Sequence, residues 1–566
     1  MTIQPKNKYS DYYWIAGILA LTVLVYLPVF WAGFTNWDDQ LYIYENRFIR
    51  QLSLTNIRKF FSDYFVGNYH PFTMLSLAFD YYIAKLNPVW YHIHNLLLHL
   101  LNTLLVFWLV RLLTKKNFVA LLVALLFGVH SMHVESVAWI AERKDVLYAF
   151  YFLLSAVFYL KYYFAKIGNK KRNGFYFLSL LFFLFSLFSK GQAVTLPLVL
   201  LLCDIFLRRD FKKPSAWLDK APFFILSMVF GIIALYAQKS AAAFPGTPNY
   251  HFIETLVLAT YNISVYLAKM ILPLNLSTFY PLPEKVAGHL PYIYWIFVPV
   301  VMLLPAAMII WWKKKPGFIF GLLFFLVNIA LILQVIPVGG ARIADRYVYI
   351  ASIGIFFAIV MGLDCVRERY RQMNKTLYFS MLALFFCWAI SLSVISFQRA
   401  KVWNNSLVLW TDVLEKFPGT QRALINRGNA LFDAKKYQES IRDYNLVLSK
   451  NMSDVSAYLN RGRARANTGD LQGAINDFSI CTRLSPNDYL PFYNLGILYA
   501  LTGDKMQSYN SFSASIRLNP EYPEAYFYRA QIGVEMGFKD QICNDYRMAL
   551  NLGFQKAADE LQKYCR

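Results

Sequence analysis

Charge is scarce in this chain. Only 16 % of its 566 residues are Asp, Glu, Lys or Arg, while 57 % are hydrophobic, with 48 Phe and 40 Tyr among them. No water-soluble fold of this length needs so much apolar surface, so the composition points to a protein that crosses a membrane many times. Acids are the rarer sign, 34 against 56 bases, which leaves a formal net charge of +22. That excess does not imply nucleic acid, because the bases gather in short loops between apolar runs, where they set orientation. Cysteine is rare too: Cys203, Cys365, Cys387, Cys481, Cys543 and Cys565 are scattered without metal-ligand spacing. The first three read as small core residues of the membrane part. A disulfide among the last three stays open, with no pairing assigned. A small-residue cleavage pattern is missing behind the first apolar run, which therefore reads as an uncleaved span.

What the chain does have falls into two parts that meet near residue 400. Residues 1–400 carry recurrent apolar runs of membrane length, at about 20 residues each. They are expected near 13–33, 91–113, 117–134, 146–164, 175–190, 192–208, 221–238, 292–312, 317–336, 347–366 and 377–396. Basic clusters punctuate alternate loops: Lys6/Lys8, Arg111/Lys115/Lys116, Lys166/Lys170/Lys171/Arg172, Arg208/Arg209/Lys212/Lys213, Lys313/Lys314/Lys315 and Arg367/Arg369/Arg371/Lys375. The positive-inside rule puts these in the cytoplasm, with the N-terminus. The loops 34–90, 135–145, 239–291 and 337–346, and everything after 397, are then outside. A single crossing at 252–273 would invert every later cluster, so that segment is expected to be interfacial or re-entrant, in keeping with Asn262 and Lys269 within it.

Residues 401–566 repeat themselves. Asn426-Arg427-Gly428, Asn460-Arg461-Gly462, Asn494-Leu495-Gly496 and Tyr528-Arg529-Ala530 recur every 34 residues, followed at the same interval by Tyr444, Phe478, Phe512 and Tyr546. This is the tetratricopeptide (TPR) period, and about four helix pairs are expected to stack into an α-solenoid with a concave face. Such a face binds peptides or proteins; the plainer reading is a cap without a partner. The expected fold is thus all-α: a helix bundle of about eleven spans followed by a TPR solenoid.

The chemistry-bearing residues cluster on the outside. Asp38 and Asp39 follow the first span directly. Acids there can be merely solvated, or can act on a substrate whose tail stays in lipid. His92, Asn95, His99 and Asn102 share one face of the second span and should point into the bundle, where polar groups are costly unless paired. Glu135, Trp139 and Glu142 are spaced to share a helical face. His130, His133 and Glu135 match no closed zinc pattern, so hydrogen-bonding roles are preferred to a metal. Lys190 lies at an outer turn, where an anion or simple snorkelling would account for it. Arg342 and Arg346, one turn apart if helical, violate the inside bias for cations, which favours a bound phosphate. Carboxylates and cations at one headgroup level suit glycosyl transfer from a polyprenyl-phosphate sugar.

The ordered motifs Tyr69-His70-Pro71-Phe72-Thr73, His92-Ile93-His94-Asn95, His130-Ser131-Met132-His133-Val134-Glu135, Arg143-Lys144-Asp145, Ser189-Lys190-Gly191 and Asp345-Arg346-Tyr347 follow the early acidic pair. In that order, and with the terminal repeats, nearly the whole chain resembles the transmembrane-and-TPR protein O-mannosyltransferases (TMTC-type) and their bacterial relatives. These are similar to the wider GT-C glycosyltransferase class. The resemblance implies a lipid-monophosphate sugar donor, a protein acceptor docked by the repeats and an outward catalytic face. It implies Asp38 or Asp39 as general base, with no choice between them, and Glu135 as a second acid. It puts His70, His92, His133, Lys144 and Asp145 on the substrate-binding side, and makes Arg143, Lys190, Arg342 and Arg346 phosphate or sugar contacts. No metal is expected to be required, a divalent ion being the less favoured alternative. The few repeats look bacterial, implying an inner-membrane protein with periplasmic repeats and mannose as one candidate sugar. Two other readings remain at this stage: an oligosaccharide ligase or polymerase using a pyrophosphate lipid, and a non-catalytic TPR scaffold.

Overall fold

The computed structural model describes residues 10–167, 173–240, 250–333, 340–370 and 374–565. The basic residues Lys6, Lys8, Lys170, Lys171, Arg172 and Arg371 lie outside them. Among the described residues every regular element is helical, and the extended contacts are isolated bridges such as Pro281 with Ala341. The chain divides into two compact units, Met1–Asp412 and Val413–Arg566.

Among the described residues of the first unit, five helices are long and apolar enough to cross a membrane: Pro88–Thr114, Ile140–Ala165, Ser215–Ser240, Tyr292–Trp311 and Lys375–Val402. A sixth arises if Asn117–Val129 and Ser131–Ala138, bent by 53°, form one broken span. Shorter apolar helices occupy Asp11–Val25, Asn173–Leu187, Gly191–Phe206 and Pro316–Ile332, and Ser352–Tyr370 takes the remaining expected position. Each of the eleven expected runs therefore contains a helix, but among the described residues only five or six are both long and apolar enough to cross. The shortfall has local causes. Pro28 follows the end of the first helix, His130 is extended between the bent pair, and Lys190 is extended before the turn at Gly191. The segment Phe252–Ile271 is a 20-residue helix that is not among those long and apolar enough to cross.

Close crossings hold this bundle. Ser155 Oγ donates to the Ser179 carbonyl at 2.7 Å and Ser179 Oγ donates back to the Ser155 carbonyl at 2.8 Å, tying Arg143–Ile167 to Asn173–Leu187. A Cβ added at Gly354 would lie 2.3 Å from the Gly321 carbonyl oxygen, so only glycine lets these two helices approach. A buried polar network joins the rest. His99 Nε2 donates to the Gly128 carbonyl at 3.1 Å and its Nδ1 meets the Tyr349 hydroxyl at 2.7 Å. Asn102 Nδ2 donates to the Val146 carbonyl at 2.9 Å. The polar stripe of the second span thus points inward, and neighbouring helices pair Asn95 Nδ2, His99 and Asn102 Nδ2, while the His92 ring nitrogens and Asn102 Oδ1 are buried without a hydrogen-bond partner.

The second unit is a set of antiparallel helix pairs. Gln421–Asp433 pairs with Tyr437–Lys450, Val455–Asn467 with Leu471–Leu484, Tyr489–Leu501 with Lys505–Leu518, and Pro523–Met536 with Lys539–Asn551, before a last helix Ala557–Tyr564. The aspartates before four of these helices cap them, each accepting from a backbone N–H: Asp454, Asp470, Asp488 and Asp504. A Cβ at Gly462 would meet the Phe478 ring at 2.8 Å, which explains the glycine–aromatic pairing within a repeat. The repeat also contains a recurrent ion pair. Arg427 meets Asp443, Arg461 meets Asp477 and Arg529 meets Asp545, each with two guanidinium–carboxylate bonds of 2.6–2.9 Å. Leu495 and Ser511 replace that pair in the third repeat. Cys543 and Cys565 form a disulfide, and Cys481 is free and buried.

Candidate functional site

The loop after the first membrane helix carries the acidic pair, and its two members differ. Asp39 is 1 % exposed. Its Oδ2 accepts from the Thr35 backbone N–H at 2.7 Å and the Thr35 hydroxyl at 2.9 Å, and its Oδ1 accepts from the Ala141 N–H at 2.9 Å. It folds the loop onto itself and fastens it to the start of the helix that contains Glu142. Burial pushes the Asp39 carboxyl up to about 6 despite those three donors. Asp38 is half-buried and acts electrostatically on Tyr42 and Asp39.

The raised Asp39 carboxyl has a consequence for stability. Between 3.8 and about 6 the folded protein keeps a proton that the unfolded chain has released. Its contribution is therefore complete below about pH 4 and lost as pH rises through 6. Asp39→Asn is expected to flatten the fall of melting temperature across this window, removing a pH-dependent term of up to about 3 kcal/mol. Thermal melts of the detergent-solubilised protein from pH 4 to 7 measure it; a slope identical to the parent would contradict the assignment.

Around Lys144 the structure gathers charges from three distant stretches. Glu142 has three cations near it: Lys144 Nζ at 3.2 Å, Arg346 Nε at 3.1 Å and Lys190 Nζ at 3.7 Å. Arg346 also binds Glu135, through its backbone N–H at 3.1 Å and through its guanidinium. Lys190 pairs with Asp145, which also accepts from the Ser136 hydroxyl at 3.1 Å. The guanidinium of Arg346 lies 5.3 Å from the Trp139 ring, and Lys144 Nζ lies 4.8 Å from the Tyr42 ring. His70 packs on Tyr42 with ring centroids 5.4 Å apart. Burial, then Lys144, lower its pKa to about 3, so the imidazole is neutral. Both His70 ring nitrogens, Glu142 Oε2 and Trp139 Nε1 are buried without a hydrogen-bond partner. Buried polar groups are rarely left so, and this group marks where polar atoms of a bound molecule or water belong. Among the described residues no group of three or more His, Cys, Asp or Glu is arranged to hold a metal ion.

The structure moves four of the expected substrate contacts elsewhere. Arg143 is fully buried and donates to Asp80, Ser76, Asn95 and the Tyr91 carbonyl, so its guanidinium ties helices together. His133 Nδ1 donates to the Phe127 carbonyl at 2.8 Å and its Nε2 meets the Ser352 hydroxyl at 2.9 Å, which makes it part of the bundle network. His92 is buried beside the Ala32–Gly33 backbone. Arg342 is not a helical turn from Arg346: Ala341 bridges to Pro281, Ala344 is extended, and only Asp345–Val348 form a short turn. Arg342 lies instead 4.7 Å from the Tyr261 ring, with Tyr294. Nor do Glu135, Trp139 and Glu142 share one helix, since the backbone is extended at Trp139; the two glutamates converge on Arg346 from either side of that break. Glu142 and Trp139, noted in the sequence only for their spacing, complete the site together with Tyr42, Trp37, Trp403 and Trp410, which the sequence did not point to. Trp37 stacks on Trp410 at 4.6 Å and meets Trp139 edge-on at 5.5 Å, and Trp139 stacks on Trp403 at 5.4 Å. The first unit therefore runs to Asp412 rather than ending at residue 400, because Trp403, Ser406 and Trp410 are built into it.

Known proteins resemble both parts of the chain. A family described as "Tetratricopeptide repeat" matches residues 427–489. Among curated proteins, "Protein O-mannosyl-transferase Tmtc1" of Drosophila melanogaster is 29 % identical over 35 % of this chain and 23 % of its own length. "Protein O-mannosyl-transferase TMTC1" of Mus musculus is 37 % identical over 16 % of this chain and 10 % of its own, and "Protein O-mannosyl-transferase TMTC2" of Homo sapiens 32 % over 26 % and 17 %. The chain thus spans less than a quarter of the length of these relatives. The likeness to TMTC-type proteins expected from the motifs is therefore found. Among solved structures, "Crystal structure of MamA" is 19 % identical, covering 28 % of this chain and 94 % of that one, with a TM-score of 0.26. "Crystal structure of YrrB: a TPR protein with an unusual peptide-binding site" is 15 % identical, covering 36 % and 97 %, also at 0.26.

Proposed function

We propose that this chain, a relative of the TMTC-type transmembrane-and-TPR proteins, is an integral-membrane glycosyltransferase of the GT-C kind. It transfers a sugar, mannose first among the candidates, from a polyprenyl phosphate to hydroxyl groups of extracytoplasmic proteins. The observation that carries this reading is the juxtaposition of an acidic loop with three cations that surround Glu142. Asp38 is the general base, half-buried in the acidic loop, while Asp39, held by three donors, fastens that loop to Ala141. The acceptor hydroxyl gives its proton to Asp38 as its oxygen bonds to the anomeric carbon, and the bond from that carbon to the phosphate oxygen breaks. Lys144, Lys190 and Arg346 stabilise the charge that develops on the leaving phosphate, so the reaction needs no metal. Glu135, Glu142 and Asp145 hold those cations in place, and neutral His70 and the Trp139 indole N–H are free to meet sugar hydroxyls. The repeats dock the protein acceptor. The Cys543–Cys565 disulfide supports an oxidising compartment for them, in keeping with a periplasmic location outside a bacterial inner membrane.

The purified protein, given polyprenyl-monophosphate mannose and an extracytoplasmic protein fraction, is expected to add one hexose to protein, read by intact mass. Removing residues 420–566 is expected to reduce transfer to protein more than donor hydrolysis. Turnover only with a pyrophosphate-linked oligosaccharide would replace this reading with a ligase. No turnover with either donor would leave a scaffold.

A further inference from the structure

The segment that leads out of the last membrane helix grips the acidic loop. The Gly33 N–H donates to the Asn404 carbonyl at 2.9 Å, and the Asn36 N–H donates to Ser406 Oγ at 2.8 Å. The Trp410 indole N–H donates to Asn36 Oδ1 at 2.7 Å, and its ring lies parallel to Trp37, 8° from coplanar. Trp37 and Asn36 are the two residues immediately before Asp38. The segment is itself held at both ends. Trp403 is 1 % exposed and stacks on Trp139, and Asp412 pairs with buried Arg399 at 2.6 Å, whose guanidinium also donates to Thr278 at 3.0 Å. Asp39 fastens the far side of the same loop to Ala141. Asp38 thus sits on a short stretch clamped from both directions, once by residues 370 positions away in sequence.

We infer that Ser406 and Trp410 are positioning residues for Asp38, and that the stretch 403–412 is a strap that fixes the base relative to the cations around Glu142. This rests on the reading of Asp38 as base. A carboxylate that must meet an acceptor hydroxyl in line with a leaving phosphate tolerates little displacement, and a misplacement of about 1 Å can cost about a hundredfold in rate. Neither residue touches the reacting atoms. Their effect therefore falls on kcat and leaves donor affinity, set by Lys144, Lys190 and Arg346, as it was.

The test uses the full chain in detergent, with four variants beside Asp38→Asn. Ser406→Ala removes the acceptor for the Asn36 N–H, and Ser406→Thr restores a hydroxyl. Trp410→Phe keeps a stacking ring and loses the bond to Asn36, and Trp410→Ala loses both. Ser406→Ala and Trp410→Phe are each expected to lower kcat about tenfold, with donor KM and melting temperature at parental values, and Ser406→Thr to recover most of the loss. Trp410→Ala is expected to fall further; should it fail to fold, the serine pair decides. Parental kcat in Ser406→Ala and Trp410→Phe overturns the inference, as does a joint loss of kcat, KM and melting temperature that threonine does not rescue. If Asp38→Asn is inactive while the strap variants are parental, only the strap falls. If Asp38→Asn turns over at the parental rate, the base assignment falls instead.

Discussion

Asp38→Asn is expected to lower the rate of sugar transfer by about 10²–10⁴-fold, the range lost when a positioned general base is removed. The donor should still bind, because the cations that meet its phosphate keep Glu135, Glu142 and Asp145 beside them, and only Lys144 loses a nearby charge in Asp38. KM for the lipid donor is therefore expected to stay within a few-fold of the parent, and the loss to fall on kcat, the signature of an interaction made in the transition state. The substitution replaces a half-buried carboxylate by its amide, so melting temperature should change little. The neighbouring residue supplies the contrast. Asp39→Asn keeps one carbonyl oxygen for the donors of Thr35 and Ala141 but places an amide N–H₂ where the carboxylate accepted a further bond. Its effect is expected on the stability of the loop and on its pH dependence first, and on rate through displacement of Asp38. Transfer assays at saturating and limiting donor, run on both variants with melts on the same preparations, separate the two. A parental kcat in Asp38→Asn with a collapse in Asp39→Asn would exchange the roles.

What sequence could and could not reveal follows from how far apart the interacting residues are. The 34-residue period was legible to the residue, because each repeat sets a small residue against its own aromatic within one supersecondary unit, and the middle two add their own capping aspartates. The apolar runs were legible for the same reason, although their lengths were not, since breaks at Lys190 and His130 depend on what those residues meet. The acidic pair could be found but not divided into base and fastener, because the division rests on Ala141, 102 positions away. Arg143 and Lys144 are adjacent, and nothing in their pattern says which points into the helix bundle and which toward Tyr42. That outcome is set by Asp80, Ser76 and Asn95, which come from two other helices. The strap was counted with the repeats because composition changes near residue 400, whereas its contacts are made across some 370 positions.

Arg143 carries the other large expectation, and it distinguishes a helix tie from a substrate contact. Its side chain is wholly buried, with Asp80 only 5 % exposed beside it at 2.7 Å. His94 Nδ1 lies 2.7 Å from the other Asp80 oxygen, so the carboxylate is engaged on both sides. Removing one member of a buried pair leaves an uncompensated charge, at a cost of about 3–5 kcal/mol. Arg143→Met and Asp80→Asn are each expected to lower the melting temperature sharply and to reduce yield from the membrane, with turnover per folded molecule close to the parent. The double variant Asp80→Leu/Arg143→Met leaves no orphaned charge and is expected to regain most of the stability that either single change loses, since an apolar pair of similar volume often replaces a buried ion pair without loss. A guanidinium that held the donor phosphate would behave in the opposite way. Arg143→Met would then raise the donor KM at an unchanged melting temperature, and adding Asp80→Leu would restore nothing.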